Sequence, residues 1–77
     1  MKNKRLLLVG RQIRKLREAK EISQEEFASL ANLDRAYYGG IERGERNLAT
    51  LNLIKIAVAL DMEVGDLFPS LTELTNK

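Results

Sequence analysis

The sequence predicts one compact all-α domain, and three observations point there. Apolar residues recur at spacings of three and four through Leu6, Val9, Ile13 and Leu16, and again through Leu53, Ile56, Ala57 and Leu60, which is the period of a single helix face. Only one proline and five glycines interrupt the 77 residues. Ser23, Asp34 and Thr50 each precede a helix-compatible run, where a side-chain oxygen can accept the free amides of a first turn. A chain of this length holds a single domain, with a core over about 6–68 and a tail over 69–77. It is near the size at which one core is marginal, so added burial by self-association is expected.

The first helix is expected over 6–20, with its basic residues off the apolar stripe; Gly10 weakens it slightly. Ser23-Gln24-Glu25-Glu26 has the pattern of a capping box opening a second helix over 24–31, whose inner face is Phe27, Leu30 and Ala31. Asn32 tolerates the left-handed conformation that closes many helices. Leu33 is placed to pack inward, and Asp34 caps a third helix running to about Arg43, with Gly44 as terminator. Tyr38 and Ile41 form its buried face. A polar connection over 45–49 leads to a fourth helix, capped by Thr50 and ending at Leu60. Leu51, Ile54 and Val58 lie off its main stripe and are too apolar to be merely solvated. A short turn over Val64–Phe68 is ended by Pro69, and Leu71 and Leu74 follow in a tail expected to be only partly ordered.

Composition excludes several function classes. Neither cysteine nor histidine is present, which removes disulfides, thiol catalysis, the usual zinc sites and imidazole acid–base chemistry. No metal or cofactor is expected, and a reducing cytoplasm fits. The basic start resembles a signal peptide, but its apolar run is only Leu6 to Val9 before Arg11, Arg14 and Lys15; neither a secretory h-region nor a membrane span can be built from it. Most acids sit at caps or on solvent faces, with no nucleophile–base set and no phosphate-cradling glycine loop, so an enzyme is not expected. The net charge of +2 is uneven: residues 1–20 hold eight Lys/Arg against one Glu, giving +7, while 21–47 carry −3 and 48–77 carry −2. A basic segment can meet phosphate, although a solvated helix face reads the same way.

The two short central helices, about 24–31 and 34–43, are separated by only a few residues, which fits a helix-turn-helix whose second helix enters the DNA major groove. Small Ala28 allows their close approach. Ile13-Arg14-Lys15-Leu16-Arg17, Ser23-Gln24-Glu25-Glu26-Phe27-Ala28, Ile41-Glu42-Arg43-Gly44, the run Leu53 to Leu60 and Asp66-Leu67-Phe68 together resemble the phage-repressor (XRE) family of helix-turn-helix regulators. The resemblance covers about residues 9–68. It implies a five-helix, lambda-repressor-like domain, usually dimeric on palindromic operators. Within that family, Leu33-Asp34-Arg35-Ala36-Tyr37 and Gly40-Ile41-Glu42-Arg43 with Arg46-Asn47 are similar to the controller proteins of restriction–modification systems, which activate or repress a promoter according to operator occupancy. The chain departs from that pattern at Tyr38, where an aliphatic residue is usual, and at Gly39, where serine is common.

Roles follow for individual residues. Arg35, near the start of the third helix, can present its guanidinium to guanine O6 and N7. Ala36 is small enough to meet a thymine methyl, and Tyr37, opposite the buried face, can contact a base or phosphate. Tyr38 is expected to pack inward with its hydroxyl reaching the rim for a partner. Gly39 and Gly40 each cost roughly 1 kcal/mol in a helix relative to alanine; a bare surface entering the groove and a tight helix–helix contact both account for them. The resemblance implies a phosphate contact at Gln24, helped by free amides at the helix start. Arg43, Arg46 and Asn47 are expected phosphate contacts, the latter two also local base contacts. The resemblance further implies an ion pair between Arg17 and Glu42, joining the first and third helices. The surplus apolar residues Leu51, Ile54, Val58, Met62 and Phe68 are the expected homodimer interface. The expected partners are thus double-stranded DNA and a second copy of the chain, and activation would further require a surface facing RNA polymerase. Two other readings use the same fold: a general phage-type or chromosomal repressor, and an antitoxin-like interaction module. An antitoxin is expected to carry an extension longer than 69–77, and the Arg35–Tyr37 surface argues against lost DNA binding.

Overall fold

A computed structural model describes residues 3–76, in which every regular element is a helix or helical turn and there is no strand. Met1, Lys2 and Lys77, which the expected domain limits include, lie outside the described residues. The elements are α1 (Lys4–Ala19), α2 (Gln24–Leu30), α3 (Arg35–Glu42), α4 (Thr50–Leu60), a 3₁₀ turn (Val64–Leu67) and α5 (Leu71–Thr75).

Local chemistry sets most of the boundaries. The Asn3 carboxamide oxygen accepts the Arg5 and Leu6 amides at 2.9 and 3.2 Å, so α1 starts at Lys4, ahead of its apolar stripe. Ser23 Oγ accepts the Glu26 amide at 3.0 Å; the reciprocal reach of the Glu26 carboxylate is not made, so the capping box is half formed. Asn32 and Gly44 close α2 and α3 in the same way. Each has a positive φ, 55° and 73°, and each is followed by an amide donating back into the helix, Leu33 to Ala28 and Glu45 to Gly40, both at 2.8 Å. This double closure satisfies carbonyls that would otherwise lack partners. Thr50 does not cap α4. It is the first helical residue, and Ala49 occupies the cap position without a side-chain bond. The tail also departs from expectation: Ser70 Oγ accepts the Glu73 amide at 3.2 Å and starts α5. Arg5 Nε donates to the Leu74 carbonyl at 3.0 Å, and Leu74 packs against the core.

The core is built from Ile13, Phe27, Tyr38, Ile56, Leu60 and Leu67, its largest fully buried side chains. The Phe27 and Tyr38 rings meet in a tilted pair with centroids 5.1 Å apart, a geometry that adds about 0.5–1.5 kcal/mol to simple burial. Leu33, Met62 and Phe68 are half-buried against this cluster.

α1 crosses α3 at Gly10, which is buried. A methyl group there would strike the carbonyl of Ile41 and stand 2.6 Å from that of Glu42, and neither backbone can yield without moving α3. Gly10 is therefore a close-approach residue of the fold, whereas its position in the sequence reads only as a weak point in a helix. Gly10→Ala should lower stability by about 1–3 kcal/mol through overpacking, against the roughly 1 kcal/mol by which alanine favours a helix interior. Chemical denaturation measures the balance, and a variant as stable as wild type would show that the two helices separate freely.

Candidate nucleic-acid interface

α2 and α3 form the helix-turn-helix pair, and their mutual placement depends on a buried polar knot beneath them. Arg17 of α1 donates from Nε to Glu42 Oε2 at 2.7 Å and from Nη2 to Glu42 Oε1 at 3.1 Å. Its Nη1 donates to the Ile22 carbonyl at 2.7 Å, just before α2. The two side chains are 9% and 2% exposed. Gln24, the first residue of α2, donates from Nε2 to Glu42 Oε1 at 3.0 Å. One carboxylate near the end of α3 thus holds α1 and α2 together, in the two-pronged geometry that favours arginine over lysine.

The knot shifts three ionisation equilibria. Burial is the largest influence on Glu42 and would raise its pKa, but the hydrogen-bonded Arg17 guanidinium and the Gln24 amide outweigh it and hold the carboxyl below its ordinary value. The bond to Glu42 raises Arg17 above the usual guanidinium value. Tyr38 is raised far above an ordinary phenol, by burial first and then by the Glu42 carboxylate beside it. Its hydroxyl is buried without a hydrogen-bond partner of satisfactory geometry. That corrects the expectation of a rim partner: the ring is fully buried against Phe27, with its oxygen beside the Arg17–Glu42 pair.

The outer surface of the pair starts at Asp34, whose Oδ2 accepts the Tyr37 amide at 3.0 Å. Arg35 and Ala36, in the first turn of α3, are exposed. Arg35 makes only a long contact, 3.8 Å from its Nε to the Glu25 carboxylate, with both side chains well exposed; such a pair is worth little in water and leaves the guanidinium available. Arg43 is exposed and pairs with Glu45 at 3.0 Å, and Arg46 and Asn47 are exposed in the following loop. Gln24 is half-buried. Its amide nitrogen carries two hydrogens, so the bond to Glu42 still leaves one donor.

Tyr37 and the glycine pair make structural contacts at this surface. Tyr37 is half-buried and serves as a brace: its hydroxyl donates to the Asn47 carbonyl at 3.2 Å and accepts from Asn52 Nδ2 at 3.1 Å, tying the start of α3 to α4. Asn52 escaped the sequence reading; the only signal was a polar residue set between apolar neighbours in the fourth helix. Gly39 and Gly40 are not a bare surface either. Both are buried, under the side chains of Gln24 and Arg43 at Gly39 and of Arg46 at Gly40. Gln24, Arg43 and Arg46 therefore gather over the second half of α3, while Arg35 and Ala36 occupy its first turn.

On α4, Leu51, Ile54 and Val58 follow one another at spacings of three and four and are 73%, 44% and 73% exposed. Met62 and Phe68, expected in the same group, are partly spent on the core. Among the described residues no acidic cluster could hold a metal ion, and no helix is long and apolar enough to cross a membrane.

A buried Arg–Glu knot fixing two short helices, with cations around the second of them, defines a helix-turn-helix protein. The chain belongs to the Helix-turn-helix family, whose model matches residues 13–67. It is 45% identical over 60 residues to the control protein C.MunI of Mycoplasma sp, covering 77% of this chain and 81% of the relative. Among solved structures it is similar to the restriction–modification controller protein C.AhdI from Aeromonas hydrophila, at 51% identity and a TM-score of 0.80, covering 82% of this chain and 96% of that one. It is also similar to SinR, a master regulator for biofilm formation solved in complex with DNA, at 32% identity and a TM-score of 0.74, covering 77% of this chain and 95% of that one.

Proposed function

We propose that this protein is a sequence-specific DNA-binding regulator of transcription, a restriction–modification controller that acts as a homodimer on a palindromic operator. The observation that carries the reading is the exposed first turn of α3, where Arg35 and Ala36 stand clear of the core and Arg43, Arg46 and Asn47 follow at the other end. Similarity to C.MunI and C.AhdI supports the controller assignment. Two copies would place their recognition helices about 34–36 Å apart, one DNA turn, to read two half-sites. The regulator would work in the cytoplasm without a cofactor and without enzymatic activity, meeting RNA polymerase where it activates.

In the division of labour proposed here, Arg35 and Ala36 face base edges, while Gln24, Arg43 and Asn47 hold the phosphate backbone. Arg35→Ala should cost about 1–3 kcal/mol on the preferred sequence and relax discrimination at one base pair. Equal weakening on every sequence would make Arg35 a phosphate contact instead.

Selection of bound sequences from a random duplex library, at near-physiological salt where phosphate-only binding is weak, tests the whole reading. A two-fold symmetric motif is the expected result, and its occurrence upstream of a methylase or nuclease gene would support the controller role over that of a general repressor. Folded protein that enriches nothing would favour an interaction module.

A further inference from the structure

The core gives a reason for the ring of Tyr38 but none for its hydroxyl. The ring is fully buried against Phe27, a place that a plain phenyl group would fill. The hydroxyl, sealed from water, has no hydrogen-bond partner. A buried donor without an acceptor costs folding free energy, and an acceptor stands beside this one, the Glu42 carboxylate. That carboxylate is engaged elsewhere. Arg17 donates to it from two nitrogens, at 2.7 and 3.1 Å, and Gln24 Nε2 donates to Oε1 at 3.0 Å. Two neutral donors thus neighbour Glu42 on unequal terms. The Gln24 amide is bonded and half-buried, whereas the Tyr38 hydroxyl is idle and wholly enclosed. Of the four side chains, only Gln24 keeps access to the outer surface, where its Oε1 lies over Gly39 of α3.

We infer that Tyr38 is a positioning residue for DNA binding: when Gln24 turns from Glu42 to a phosphate, the Tyr38 hydroxyl donates to the carboxylate in its place. This rests on the DNA-binding reading above, in which Gln24 holds the backbone. In the free protein one of the two donors is bonded and the other is idle. In the complex both are bonded, Gln24 to the phosphate and Tyr38 to Glu42. Docking therefore relieves an unsatisfied hydroxyl, where without it a buried carboxylate would be left one donor short. No proton changes owner and Arg17 keeps both of its bonds to Glu42, so α1 and α3 stay tied through the exchange. The new contact is made to phosphate, so its effect falls on every DNA sequence alike.

A double-mutant cycle on Tyr38→Phe and Gln24→Ala tests this, read in the free protein and with the duplex that wild type selects from the random library. Phenylalanine keeps the ring and removes only the hydroxyl. In the wild-type background Tyr38→Phe should leave the free protein at least as stable in thermal unfolding, because the group it removes is idle. It should weaken binding about threefold to tenfold per half-site, the size of one net hydrogen bond, with the base ratios of the selected pool unchanged. In the Gln24→Ala background both results change. Glu42 is then open to Tyr38 without DNA, so Tyr38→Phe should lower the Tm and weaken binding no further than Gln24→Ala alone. By NMR, the Tyr38 hydroxyl proton of wild type should move downfield when the duplex is added, a readout that needs no variant.

A Tyr38→Phe protein less stable than wild type would mean that the hydroxyl is already bonded without DNA, and would overturn the inference. Equal affinity of Tyr38→Phe and wild type, or a hydroxyl proton that does not move, would show that Gln24 spans Glu42 and phosphate together. A loss of affinity that persists in full in the Gln24→Ala background would assign the hydroxyl to packing. Either result overturns the exchange and leaves the regulator reading intact. Wild-type protein that selects no duplex sinks the regulator reading and this inference together.

Discussion

Glu42→Ala is expected to lower stability by about 3–5 kcal/mol, because it strands the Arg17 guanidinium in a site sealed from water. At the low end of that range, with roughly 4–8 °C lost per kcal/mol for a domain of this size, the Tm falls by roughly 12–24 °C. The carboxylate accepts from Arg17 twice and from Gln24 once, so its removal also unties α3 from both α1 and α2 in this knot. Replacing both charges with apolar residues of similar volume, Arg17→Met with Glu42→Leu, should recover most of the loss, since a buried pair stabilises far less than either partner destabilises when left alone. Gln24 would then lose a partner but keeps access to water. The same pair imposes a pH dependence. Glu42 is held below its ordinary value of 4.5, so its contribution to stability is complete above that value and is lost as the pH falls through the lowered one. Denaturation midpoints measured across the acid range should therefore drop for wild type and stay flatter in the doubly apolar variant. An Glu42→Ala protein as stable as wild type would show that the knot is ornamental.

Val58→Glu is expected to separate the proposed dimer and to weaken operator binding by about 10²–10⁴-fold. The size of the effect comes from linkage: once one half-site is held, the second recognition helix binds at a high effective concentration, and a monomer forfeits that gain. Val58 is well exposed in the single chain, so the substitution should change monomer stability by no more than about 0.5 kcal/mol. A glutamate placed beside Leu51 and Ile54 of a partner would be buried without a counter-charge. Sedimentation should show wild type as a dimer at micromolar concentration and Val58→Glu as a monomer, with matching helical content. Wild type that sediments as a monomer, or a variant that stays dimeric, would remove α4 from the interface.

Sequence patterns announced the helices and most of their ends because these depend on neighbours a few positions away. Ser23, Asp34, Asn32 and Gly44 each act on amides or carbonyls within their own turn. Thr50 misled because its position in the pattern is one residue late: the backbone already enters the helix there. The cap of α5 was legible but passed over, since Ser70 and Glu73 repeat the spacing of Ser23 and Glu26. What could not be read is what depends on distant partners. Nothing local distinguishes Gly10 from a tolerated glycine, because the carbonyls it clears belong to a helix thirty residues on. Tyr37 looked like a free contact because Asn52 and the Asn47 carbonyl come close only after α4 folds back. Two accounts of Gly39 and Gly40 stayed open because the side chains that cover them come from outside the helix, Gln24 from before it and Arg43 and Arg46 from after it. Candidate site residues could be named by type and position, whereas which of them stand open and which brace the fold needed three dimensions.

The phenol of Tyr37 is the sole side-chain hydrogen-bond link observed between α3 and α4 among the described residues. In a two-fold assembly joined through α4, the path from one reading surface to the other would run through this oxygen, across the seam, and through its counterpart. Any slack at Tyr37 therefore enters twice, once in each subunit, and with the same sign by symmetry. The tolerance with which such a protein accepts one more or one fewer base pair between half-sites would then depend in part on the stiffness of two hydroxyl groups.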